Sequence, residues 1–101
     1  MTMLLKIGWG RLRPGGWEDF ERDYVTLHDS NLVAGRQSYY LVQDITQPDA
    51  GFALTVWSNE AELAAYDNSA LRQQTVSQLQ KHFTDRNNNQ ICRIRHHKTW
   101  S

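Results

Sequence analysis

The chain has 101 residues, 40% of them hydrophobic, which suits one domain spanning 1–101 and leaves no room for a second. Eleven Lys and Arg balance eleven Asp and Glu, and a formal charge of zero speaks against a dedicated nucleic-acid or membrane-surface binder. The single cysteine, Cys92, excludes an internal disulfide and a cysteine metal cluster, and suits the reducing cytoplasm.

Residues Met3 to Arg13 read as a first strand; the apolar run at its start is too short for a secretory signal core or a membrane span. Gly8 and Gly10 fall inside it, and glycine inside a strand marks a bulge or a close approach by another group. Pro14-Gly15-Gly16 breaks the strand. Trp17, Phe20, Tyr24 and His28 then recur at helical spacing on one face, with acidic residues in the first turn where the helix dipole favours them. The pattern fades at Asp29-Ser30-Asn31, and Gly35 closes the segment.

Gly35 to Asp44 reads as a second strand, Thr46 to Gly51 as a turn and Phe52 to Trp57 as a third strand. Alternation puts Phe52, Leu54 and Val56 on one side of that strand and Ala53, Thr55 and Trp57 on the other. Ser58 or Asn59 caps the next helix, and Asn59 with Glu62 resembles a capping box. Leu63 and Tyr66 form its first apolar pair. Asp67-Asn68-Ser69 interrupts, and Leu71, Val76, Leu79 and Phe83 continue, which predicts a kink or short break near Ser69. Asn87-Asn88-Asn89 reads as a turn and Gln90 to His97 as the last strand.

This order predicts an α+β, ferredoxin-like βαββαβ fold, a four-stranded antiparallel sheet with two helices on one face. Both sides of the strands carry bulky residues, and the helices cover only one. The other side needs a ligand or a partner chain.

Trp9, Tyr39, Trp57 and Tyr66, with Tyr40, form an aromatic set suited to a flat organic ligand, or to ordinary core and interface packing. His28, on the apolar helix face, is a candidate base or proton donor; it also fits a satisfied histidine at a helix C-terminus. His82 stands alone, and neighbours His96 and His97 point to opposite strand faces, so no metal site is expected. Arg93, Arg95 and Lys98 read as charges protecting an edge strand, and Cys92 as a packed strand residue. Phosphate-loop, dinucleotide and nucleophile-elbow motifs are missing. The element order is shared with RNA-recognition domains, but Gly51-Phe52-Ala53 lacks that motif's leading basic residue and central aromatic.

Three stretches resemble the antibiotic biosynthesis monooxygenase-like family of dimeric α/β barrels. They are the strand-to-helix join from Arg11 to Phe20, the strand-to-helix join from Leu54 to Leu63, and Tyr66-Asp67-Asn68-Ser69. The resemblance implies a homodimer packed through the open sheet faces, with a cavity between sheet and helices in each chain. It further implies a cofactor-independent monooxygenase acting on a phenol- or quinol-like aromatic molecule, with His28 as base and Trp57 and Tyr66 as substrate contacts. The alternative is a non-catalytic small-molecule-binding or stress-response dimer of the same fold. A haem-degrading branch uses an asparagine, a tryptophan and a histidine. Those positions fall near Gly8 or Trp9, on Tyr66 and on Val76, and none is kept.

Overall fold

Strand β1, Leu4–Leu12, is the spine of the molecule, a computed structural model that describes residues 3–87 and 89–101. Helix α1 (Trp17–Asp29) follows, then β2 (Arg36–Gln43), β3 (Ala50–Trp57), α2 (Glu60–Asp67) and α3 (Ala70–Leu79). A 3₁₀ turn, Gln80–His82, leads into β4 (Phe83–Arg86) and β5 (Gln90–Arg93). The antiparallel sheet runs β2-β3-β1, with β4 and β5 both on the far side of β1. β4 pairs with Gly10 to Leu12 and β5 with Leu4 to Ile7, so the two lie end to end along one edge.

The sheet therefore has five strands among the described residues, not the expected four. Phe83, expected on the last helix, opens β4 instead. The helix stops at Leu79, and the Phe83 ring packs edge-on against Phe20 at 5.2 Å. The strand expected over Gln90 to His97 ends at Arg93, with one further bond from Ile94 N to Met3 O. Arg93 also pairs with Glu60 at 3.0 Å, tying β5 to α2. The centre of the turn expected at Asn87-Asn88-Asn89, Asn88, lies outside the described residues.

Register separates the two sheet faces. Leu4, Lys6, Gly8 and Gly10 stand opposite Trp57, Thr55, Ala53 and Gly51 on the helix-covered face. Leu5, Ile7 and Trp9 stand opposite Val56, Leu54 and Phe52 on the other. β2 continues both sets, with Tyr39 and Leu41 under the helices and Tyr40 and Val42 on the open side. The open side is apolar and uncovered: Phe52 is 39% exposed and Tyr40 56%.

The covered face carries two clusters. One joins Leu12, Phe20, Tyr24 and Leu79, and the other joins Leu4, Trp57 and Leu63. Each such side chain contributes about 1.5–3 kcal/mol by leaving water. The helix break falls where expected. The Ser69 hydroxyl donates to Tyr66 O at 2.6 Å, ending α2, and accepts from Arg72 N at 3.1 Å, starting α3. Asn59 caps α2 by accepting from Glu62 N at 2.8 Å, while its amide donates to Glu62 Oε1 at 3.0 Å. Gly35, at φ 85°, takes the left-handed turn into β2 and leaves room for the Glu62 side chain.

Candidate functional site

A cleft separates the sheet from α1 and α3, and it has two ends of different chemistry. At one end Leu12, Trp17, Phe20, Leu79 and Phe83 surround a cavity of about 130 Å³. Its floor is bare backbone, Gly8, Gly10 and Gly51 beside Ala53. The glycines have a steric cause: a Cβ on Gly10 would lie 2.4 Å from the Phe83 ring, and one on Gly51 2.8 Å from Trp17. Trp17 is fixed by its indole N–H donating to Pro48 O at 2.6 Å.

At the other end a cavity of about 120 Å³ is lined by His28, Tyr66, Thr55 and Thr75 and by four cations, Lys6, Arg36, Arg72 and Arg86. Tyr24, Val76 and Leu79 border both cavities, which lie side by side as the two ends of the cleft.

Tyr24 and His28 sit one helical turn apart on the buried face of α1. His28 Nδ1 lies 2.9 Å from Tyr24 O. A carbonyl only accepts, so Nδ1 carries the proton and Nε2 is left as an acceptor. Burial holds the His28 pKa down to about 4, so the ring is neutral at pH 7. Burial also raises the Tyr24 pKa, which keeps its hydroxyl a neutral donor. Neither His28 Nε2 nor the Tyr24 hydroxyl bonds to another described residue, and neither is sealed from free space. Both residues line the polar cavity.

Lys6 is buried on β1 and bonds to Asp67, which also lies 3.7 Å from Arg72. Desolvation lowers the Lys6 pKa, and the bond to Asp67 opposes that shift. The Arg36 guanidinium donates to His28 O and Asn31 O at 3.3 and 3.0 Å, and stacks over Tyr66 at 5.5 Å. Backbone carbonyls fix the group without neutralising it.

Of the residues expected from sequence, His28 and Tyr66 line the polar end together. Tyr39 stands behind them, 5.4 Å from His28 and 5.3 Å from Tyr24, with its hydroxyl donating to Asp29 Oδ1 at 2.9 Å. Trp57 is fully buried between Leu4 and Leu63, where it supports the Tyr66 ring at 5.3 Å. Trp9 borders the apolar cavity, while its register sets its side chain beside Phe52 on the open face, under Arg11 at 5.7 Å. Sequence reading missed Tyr24, Lys6, Arg36 and Arg72 as cleft residues. Tyr24 gave a signal in its helical phase with Phe20 and His28, and Lys6 in its phase with inward-facing Leu4; Arg36 and Arg72 gave none.

The profile of the antibiotic biosynthesis monooxygenase family matches residues 4–78, β1 through nearly all of α3. The chain belongs to the antibiotic biosynthesis monooxygenase family. Solved structures share its fold. A candidate antibiotic biosynthesis monooxygenase from Bordetella bronchiseptica superposes with a TM-score of 0.78 at 18% identity, over 97% of this chain and 100% of that one. A second candidate member, from Chloroflexus aurantiacus, gives 0.73 at 22% identity, over 95% and 97%. A conserved protein from Methanosarcina mazei gives 0.73 at 17%, over 94% and 93%. No curated protein matches the chain.

The family match covers α1 and the Gly8–Gly10 floor but stops before β4, which supplies Phe83 and Arg86 to the cleft. The position that would carry a haem-ligating histidine is Val76, an aliphatic side chain at the junction of the two cavities, so the cleft does not fit haem ligation. Among the described residues no group of three His, Cys, Asp or Glu is placed to hold a metal ion, and no helix is long and apolar enough to cross a membrane.

Proposed function

We propose that this family member is a cofactor-independent monooxygenase acting on a phenol- or quinol-like aromatic molecule in the cleft. The observation that carries the reading is the pairing of an acceptor, His28 Nε2, with a neutral donor, the Tyr24 hydroxyl, beside an apolar ring site. The ring lies among the apolar walls of Leu12, Trp17, Phe20 and Phe83. His28 accepts the phenolic proton, and Tyr24 with the nearby cations stabilises the developing anion. The electron-rich anion then reduces dioxygen, and the water-poor apolar walls limit side reactions. Tyr66 contacts the substrate edge, while Tyr39 and Trp57 hold the lining rings in place.

In this reading two copies pack through the apolar open faces, burying Phe52, Tyr40 and Val42. A cytoplasmic location is supported by Cys92, a free and exposed thiol.

One observation favours the second reading, a non-catalytic small-molecule-binding or stress-response dimer. A histidine held near pKa 4 is a weak base for a phenol. Isotope labelling separates the two. Monooxygenation of 1,4-naphthohydroquinone by ¹⁸O₂ gives 2-hydroxy-1,4-naphthoquinone and water, with one labelled oxygen in each. Enzyme-dependent labelled product supports the oxygenase. Unlabelled 1,4-naphthoquinone at the protein-free rate overturns it.

A further inference from the structure

We infer that the ligand of this cleft carries an oxyanion on its aromatic body, bound at the cationic end by Arg36, Lys6 and Arg72. The inference deepens the proposed function, and it rests on the cleft being a small-molecule site.

Charge is distributed very unevenly for a chain whose formal net charge is zero. Four cations line the polar cavity and no carboxylate does. Lys6 and Arg72 share one carboxylate, Asp67. Arg36 and Arg86 have no ion-pair partner among the described residues; the acceptors on Arg36 are the carbonyls of His28 and Asn31. Carbonyls orient a guanidinium but leave its charge intact, so Arg36 is a pre-set anion clamp. Lys6 is only 11% exposed along its side chain, a costly position for an ammonium with half a counter-ion. A second anion in the cavity would offset that cost.

The other end has the opposite character. Leu12, Trp17, Phe20 and Phe83 offer no charge and close over the glycine floor; Arg86, shared with the polar end, is the charged side chain there. A molecule that fills both ends has an apolar ring system and an anionic edge, and the ring's hydroxyl then falls near Tyr24, which borders both. A ring carboxylate and a ring phosphate ester share this chemistry.

Calorimetric titration of the full chain with one neutral and two anionic naphthyl probes tests the idea. The probes are 1-naphthol, 1-hydroxy-2-naphthoate and 1-naphthyl phosphate. One or both anions are expected to bind at least about tenfold tighter than 1-naphthol. The preference of one anion over the other identifies the carboxylate or phosphate class. Arg36→Gln is expected to remove most of that advantage. Added NaCl should weaken the anions alone, a readout that needs no variant. Equal affinity for naphthol and both anions overturns this inference and leaves the aromatic site standing. Absence of binding by all three probes overturns the aromatic site and this inference with it.

Discussion

Tyr24 and His28 stack face to face on α1, with ring centroids 3.7 Å apart and planes 14° from parallel. The stack shields one face of the imidazole, and the bond from Nδ1 to Tyr24 O fixes its tautomer. A strongly depressed pKa follows from that enclosure.

The first prediction concerns pH. His28 is neutral in the folded chain down to about pH 4, whereas the unfolded residue protonates near 6.5. Between those values the unfolded state binds more protons, so stability falls as pH drops from 6.5 to 4 and is fully present above 6.5. The loss should be about 2 kcal/mol after allowance for the solvent that still reaches the ring. Urea denaturation of the wild type and His28→Gln at pH 7 and pH 4 measures it. The wild type should lose more stability than the variant, and equal losses would contradict the assignment.

A second prediction concerns the floor of the cleft. Gly10→Ala puts a Cβ into the Phe83 ring, which forces β4 or the ring to move. Overpacking of this kind costs about 1–3 kcal/mol. The melting temperature should fall, and Gly10→Ala combined with Phe83→Leu should recover part of the loss.

Asp67 supplies the third. Asp67→Asn leaves Lys6 buried without its anion, at a cost of about 1–3 kcal/mol given that Asp67 is partly exposed. Lys6→Met in the same background removes the stranded charge. The double variant should therefore be more stable than Asp67→Asn alone in chemical denaturation.

The open face gives a fourth. Leu54 lies between Ile7 and Tyr40 at the centre of that face. In the dimer reading, Leu54→Glu buries a carboxylate in the seam and should yield a monomer by light scattering at micromolar concentration. A wild type that is itself monomeric there would contradict the paired-sheet arrangement.

Much of the fold was legible because hydrophobic period reports which face is buried. The alternation Ala53, Thr55, Trp57 and the helical spacing Phe20, Tyr24, His28 both match the covered surfaces. Phe83 was misread because an apolar residue at helical spacing from Leu79 looks the same whether the helix continues or stops, and β4 has only four residues. The candidate site was less legible. Periodicity marks Tyr24 as inward-facing but does not distinguish a packed ring from one bordering a cavity. Arg36 and Arg72 come from a strand start and a different helix, and only the folded chain brings them to one cavity. Trp57 drew attention as an aromatic, yet an aromatic at 0% exposure packs the wall behind the site.

The oxygenase reading places chemistry inside the cleft, where Val76 borders both ends. Val76→Trp should fill the junction while α3 keeps its fold, checked by circular dichroism and melting temperature. Formation of 2-hydroxy-1,4-naphthoquinone from 1,4-naphthohydroquinone in air should then be followed for both proteins. In the oxygenase reading the wild type gives enzyme-dependent product, and the folded variant loses at least about tenfold, roughly 1.4 kcal/mol. A folded Val76→Trp protein that forms product at the wild-type rate would contradict it.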